Sequence, residues 1–177
     1  GGDGEDGIMH ITEPGCRNNP VEILEAKAPM IIDRYAFRVD SGGAGKNRGG
    51  VGVERAYRFL APTTAIVINY KTRTKPWSVG GGNVGVNNTV VLYEGSADQK
   101  EVGFSTTHFD TGGTITNLTG VGGGWGDPFE REVDRVLHYV REGFVSVSAA
   151  KRDYGVIIDE ATMTVDEKAT AEARAAH

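Results

Sequence analysis

The stretch Asp40-Ser41-Gly42-Gly43-Ala44-Gly45-Lys46-Asn47-Arg48-Gly49-Gly50 decides how this chain folds. Five of its residues are glycine, and it lies between two segments that alternate as β-strands do. Glycine lets backbone approach backbone, so the loop either packs tightly against other chain or turns its N–H groups inward. A nucleotide P-loop is excluded. That motif needs Gly-x-x-x-x-Gly-Lys-Ser/Thr, whereas here Asp40 precedes Gly45 by five positions and Asn47 follows Lys46. The strand that comes next also leaves no helix N-terminus to hold a phosphate.

Outward from this loop the apolar periodicity is mostly that of strands. Upstream, Met30 to Val39 puts Ile31, Tyr35, Phe37 and Val39 on one face, with Asp33 the exception. Downstream, Val51 to Leu60 aligns Val51, Val53, Tyr57 and Phe59. The two are expected as a hairpin or a neighbouring pair, although the loop is long for a plain hairpin. Ala65 to Tyr70 reads as a strand buried on both faces, and Thr89–Tyr93, Val102–Asp110 and Ile115–Leu118 as further strands.

A second glycine loop runs from Lys75 to Gly85. Its Gly80, Gly82 and Gly85 satisfy G-x-G-x-x-G, but a strand follows them and not a helix, which excludes the dinucleotide fold. Trp77 beside them is expected as a lid on the core. A third loop, Gly120 to Pro128, ends in a helix start: Asp127 as cap, Pro128 in first position and Glu130 three residues on from the cap. The helix is predicted to reach Gly143. Phe129, Val133, Val136, Leu137 and Val140 form its apolar face, and Glu130, Arg131, Glu132, Asp134, Arg135, His138 and Arg141 its solvated face. Shorter helices are predicted at Pro20–Glu25 behind an Asn19 cap, at Ala149–Tyr154 closed by Gly155, and over Val165–Ala175. Val156–Asp159 is expected as a last short strand. The fold class is therefore α+β: an antiparallel β-rich domain with glycine-rich loops and helices near the C-terminus. Residues 1–177 are read as one domain, with 1–7 a linker or cut end and 165–177 a C-terminal helical tail.

The 177 residues include 26 glycines, roughly double the usual share of about 7%. The formal net charge of −5 argues against a nucleic-acid surface. No apolar run approaches the ~18 residues of a membrane span, and residues 1–7 do not resemble a signal peptide. The single Cys16 excludes an internal disulfide and suits a reducing compartment, so the expected location is cytoplasmic. No nucleophilic triad, HExxH, paired-cysteine site or EF-hand loop is present, which leaves the catalytic residues unassigned. His10, on a short strand from Ile8 to Thr12, is either a hydrogen-bonded histidine or a metal ligand, with no second ligand at helical or turn spacing. His108 and Asp110 are either a ligand pair on one strand face or part of a solvated face. His138, on a polar helix face, has no catalytic claim.

The blocks Pro20–Glu25, Asp40–Arg55 (DSGGAGKNRGGVGVER), the GGG-x-x-G loop, Gly122–Arg131 (GGGWGDPFER) and Arg141–Val156 (REGFVSVSAAKRDYGV) resemble, in order and spacing, the C-terminal part of the hydantoinase B/oxoprolinase family. The resemblance covers nearly the whole chain from about His10. It implies a component, namely the C-terminal portion of a larger B-type subunit, a separately encoded subunit or a processed fragment, of an ATP-dependent cyclic-amide hydrolase. In such an enzyme a hydantoinase A-like partner uses ATP to phosphorylate a carbonyl or amide oxygen, and the B-type subunit completes hydrolysis of a small-molecule substrate. Related members imply two alternatives, an ATP-dependent ketone carboxylase and a non-catalytic structural subunit. The resemblance also implies that His10 completes a divalent-metal site, zinc or manganese, whose other ligands come from the remaining N-terminal part of the B-type subunit or a partner chain.

Overall fold

The computed structural model describes residues 2–7 and 19–177. The predicted Ile8–Thr12 strand, with His10, lies outside them. The first described helix, α1 (Val21–Lys27), has Pro20 and not Asn19 in the capping position and makes no side-chain cap bond. Glu25 of α1 tethers it to the first strand, because its Oε1 accepts the Ile32 N–H at 2.8 Å.

A five-stranded antiparallel sheet forms the body, in the order β1 (Met30–Arg38), β2 (Gly52–Phe59), β7 (Thr114–Leu118), β4 (Thr89–Leu92), β5 (Lys100–Val102). β1 and β2 are the neighbouring pair expected on either side of the first glycine loop. Asp33, the residue that breaks the alternation of β1, sits where the register slips: Ile32 pairs with Tyr57 and Arg34 with Ala56. An extra residue of this kind is a β-bulge, and Asp33 uses its turned-out carboxylate to bind Arg58 at 2.7 Å.

A separate two-stranded sheet pairs β3 (Thr63–Ile68) with β6 (Phe104–Phe109). Its inner residues, with Ala65 and Val67 among them, pack on a core of Phe59, Val90, Leu92, Phe109 and Ile115. The expectation that this strand is buried on both faces is corrected here. Its burial alternates residue by residue, and Ile66 remains 71% exposed. A continuous apolar run reads the same whether a second layer covers it or not.

The second core is helical. α2 (Val133–Arg141), α3 (Val147–Tyr154) and the short β8 (Ile158–Asp159) bury Val136, Val140, Ala149, Ala150, Tyr154, Val156 and Ile158 against Ala44 of the first glycine loop. β9 (Thr164–Val165) pairs with β8. The predicted continuous helix from Asp127 is in fact two pieces. Asp127 caps a 3₁₀ turn, Pro128–Glu130, by accepting the Phe129 N–H, and the chain then extends through Arg131 and Glu132 before α2 begins. This break turns Arg131 inward to 1% exposure, where unbroken helical spacing would leave it in solvent. α3 is capped by Ser146, whose hydroxyl accepts the Ala149 N–H, and ends at Gly155 in the left-handed conformation with φ 63°. α4 (Glu167–Ala175) is the expected C-terminal helix, capped by Asp166. It packs onto the domain: Thr170 is buried, Arg174 donates to the Tyr154 carbonyl, and the His177 ring stacks on Phe129 at 3.9 Å.

Candidate functional site

The three glycine loops converge on one another. Asn47 and Trp125 exchange both backbone hydrogen bonds, Asn83 N–H donates to the Ala44 carbonyl, Gly124 N–H to Asn83, and Gly43 N–H to Gly122. Val79 N–H reaches Gly124, and Gly126 N–H returns to Val79. Of the two readings left open for the first loop, close packing is the one observed. The N–H groups of Gly43, Lys46, Asn47, Arg48 and Gly49 are all bonded within the protein and form no cradle for an anion. A methyl group at Gly45 would lie 2.7 Å from both the Asn47 oxygen and the Trp125 nitrogen, closer than any side chain tolerates. Trp77, expected as a lid on the core, is 85% exposed at the rim of this junction. Its backbone carries the packing, with the Trp77 carbonyl lying where a side chain on Gly123 would project.

Under the junction lies a charged cluster that periodicity does not show. Residues 2–7, expected as linker or cut end, are tied to the domain through both of their aspartates. Asp3 receives both terminal nitrogens of Arg131 at 2.7 Å, Arg135 at 2.7 Å, the Tyr139 hydroxyl at 3.0 Å and the Arg48 N–H at 2.9 Å. Asp6 takes both terminal nitrogens of Arg48 at 2.7 Å and the Val51 N–H at 2.8 Å. The Arg48 guanidinium lies 4.2 Å from the centre of the Tyr139 ring, a cation–π contact. Burial alone would raise the Asp3 carboxyl. The bonds from Arg131, and then those from Arg48 and Tyr139, outweigh it and hold Asp3 at about 2. Burial would likewise lower both arginines, and their aspartate partners overcome it, so Arg48 and Arg131 are raised. Tyr154 beside them is pushed up to about 12, chiefly by burial.

The cluster is closely filled. The space beside Arg48, between Asp40, Phe144 and Tyr154, is only about 10 Å³, room for no more than one water. Among the described residues no three His, Cys, Asp or Glu side chains meet as a metal site. His108 bonds the Thr64 hydroxyl at 3.1 Å on an exposed strand face, and Asp110 falls beyond the end of β6. His138 is exposed on α2, as its helical position predicts. On the sheet, Arg34 joins Glu54 at 2.9 Å and Glu94 at 3.0 Å, and Arg55 lies 4.8 Å from the Tyr35 ring and 5.3 Å from that of Tyr57. Two nitrogens of Arg55, Nε and Nη2, are buried with no hydrogen-bond partner among the described residues.

Fold and junction together define an α+β module in which glycine-rich loops knit a sheet to a helical layer. The chain belongs to the hydantoinase B/oxoprolinase family, whose model matches residues 1–128. It is 31% identical to the B-type subunit of a putative D-/L-hydantoinase from Pseudomonas sp., across 98% of its own length and 30% of that protein. It is 34% identical to the beta chain of caprolactamase from Pseudomonas jessenii, over 89% of this chain and 28% of the relative. The crystal structure of ATP-dependent caprolactamase from P. jessenii superposes with a TM-score of 0.79 at 32% identity, covering 89% of this chain and 28% of that one. Acetone carboxylase in its nucleotide-free form gives a TM-score of 0.85 over 99% of this chain and 28% of the other, at 23% identity, which shows a shared fold. The chain thus spans less than a third of the length of these relatives.

Proposed function

We propose that this chain supplies the C-terminal portion of a B-type subunit in an ATP-dependent cyclic-amide hydrolase, working in the cytoplasm with a hydantoinase A-like ATPase. The observation that carries the reading is the match to a B-type hydantoinase subunit along 98% of this chain, joined by the caprolactamase beta chain at 34% identity. Both relatives are named for cyclic-amide substrates, whereas the carboxylase likeness is one of fold at 23% identity. A cyclic amide is stabilised by resonance. Phosphorylating its oxygen on the A-type subunit makes the carbon more electrophilic, so water adds to it. The tetrahedral intermediate then expels the protonated ring nitrogen by breaking the C–N bond, and a second water hydrolyses the resulting acyl phosphate to carboxylate and phosphate.

In this reading the described part of the chain shapes and braces the subunit, and His10 lends an imidazole to a divalent metal, zinc or manganese. Such a metal would supply hydroxide at neutral pH. The remaining ligands would come from the rest of the subunit or a partner chain.

The test is reconstitution with an A-type subunit and the rest of a B-type subunit. Hydantoin, 5-oxoproline and caprolactam should be opened only while ATP is consumed. Ring opening without ATP, or carboxylation of acetone in place of hydrolysis, would refute the assignment. In the same assembly His10→Ala should lower metal content and turnover together while the melting temperature holds. A folded variant with full metal content would remove His10 from the site.

A further inference from the structure

Among the described residues, the outer face of the β3/β6 pair stands exposed. Ile66, Ile68, Tyr70 and Phe104 project from it and are between 63% and 71% exposed. Ile68 and Phe104 are direct cross-strand partners, and Tyr70 meets Phe104 edge to face at 5.2 Å. Exposed apolar side chains are ordinary one at a time, but a contiguous row across two paired strands marks a surface that another molecule covers.

A basic segment continues this row. Lys71, Arg73 and Lys75 are all exposed, and no described residue forms an ion pair with any of them. The segment is held against the Phe104 end of the pair. Asn69 N–H donates to Gly103, and Asn87 and Asn88 hold the Thr72 and Tyr70 carbonyls at 3.0 and 2.8 Å. From Leu60 to Tyr93 the chain has no Asp or Glu at all, in a protein with 24 of them. A local excess of unpaired cations on an acidic protein selects an acidic partner.

We propose that this face is a docking surface for an acidic polypeptide segment with apolar side chains, provided by the part of the B-type subunit that lies outside this chain. The proposal rests on reading the chain as a portion of such a subunit and is independent of the reaction assigned to it. The relatives carry more than two thirds of their length beyond the match, enough chain to cover the face. A symmetric pairing of two copies through this face is disfavoured, because each would bring its own three cations against those of the other. The apolar row supplies the buried centre and the cations the polar rim, the usual anatomy of a protein interface.

The test uses the beta chain of P. jessenii caprolactamase shortened by the segment that this chain matches, with binding read by calorimetry and sedimentation. A one-to-one complex is expected. Its Kd should rise at least about tenfold between about 50 and about 500 mM NaCl, as screening predicts. Lys71→Glu/Arg73→Glu/Lys75→Glu should weaken it by at least about tenfold, and Ile68→Ser/Phe104→Ser by more. In a second arm this chain replaces the matching segment of that relative, and amide exchange of β3 and β6 is compared with that of the free chain. Protection should rise in the fusion and fall again in both variants. Equal protection in fusion and free chain would overturn the proposal, as would a complex indifferent to both sets of substitutions. Self-association through Ile68 and Phe104, or salt-sensitive binding of the free chain to RNA or anionic vesicles that both variants abolish, would assign the face to another occupant and overturn it as well. Because the readouts are binding and amide protection and none is turnover, loss of docking and loss of cyclic-amide turnover are scored separately.

Discussion

At the scale of single residues, Asp3 connects the most parts of the molecule. Its carboxylate gathers Arg131, Arg135, Tyr139 and the backbone of Arg48, joining the N-terminal stretch, the first glycine loop and α2. Its carboxyl is held at about 2 against an ordinary 3.8. A depressed acid pKa contributes stability that is complete above 3.8 and is lost as pH falls through about 2. At about 1.4 kcal/mol per unit, that contribution is of order 2 kcal/mol. Asp3→Asn should therefore lower the unfolding free energy by at least about 2 kcal/mol at neutral pH, since Arg131 loses its buried counter-charge. In urea titrations from pH 5 to pH 2 the gap between variant and wild type should close, as the wild-type carboxyl takes up its proton. A constant gap over that range would mean that the charge of Asp3 is not what stabilises the cluster.

Secondary-structure elements divide into those the sequence discloses and those it does not, and the division has physical causes. Strand and helix positions follow local periodicity, and even the bulge in β1 announces itself as Asp33 out of phase. Close packing of the glycine loops is half legible: composition demands close approach, but which loops meet is set by hydrogen bonds between residues about 40 to 80 apart in the chain. Helical spacing misplaces Arg131 because it runs straight through Pro128–Glu130, a 3₁₀ turn after which the chain extends. The Asp3 and Asp6 contacts are not legible at all, since nothing local distinguishes a solvated aspartate from one that finds an arginine 128 residues away. Two substitutions test these elements. Val136, 1% exposed on α2, should not tolerate charge: Val136→Asp is expected to cost at least about 3 kcal/mol in a thermal or denaturant melt. An unchanged melting temperature would mean that this face of α2 is not packed. Gly45→Ala forces a methyl onto the backbone of Asn47 and Trp125 and should cost about 2 kcal/mol or more, whereas Gly2→Ala, with nothing within 4 Å, should be neutral. Equal melting of these two variants would show that the loops part easily.

For the whole molecule, the bracing role proposed for this chain rests on how its layers meet. The sheet, the hairpin and the helical layer meet at loops joined backbone to backbone, and the best-connected charges neutralise one another beside a space of about 10 Å³. A phosphate bound at a loop needs free N–H groups pointing at it, and those of Gly43, Lys46, Asn47, Arg48 and Gly49 are committed elsewhere. No described helix is long and apolar enough to cross a membrane. The isolated chain should accordingly neither bind ATP in the micromolar range nor open a cyclic amide, while the assembly with an A-type subunit and the rest of a B-type subunit does both. Calorimetric titration of the chain alone with Mg-ATP should give only heats of dilution, and product analysis with caprolactam or hydantoin should match the uncatalysed rate. Saturable binding by the isolated chain would place a nucleotide site on this module, and the division of labour between bracing and chemistry would then have to be redrawn.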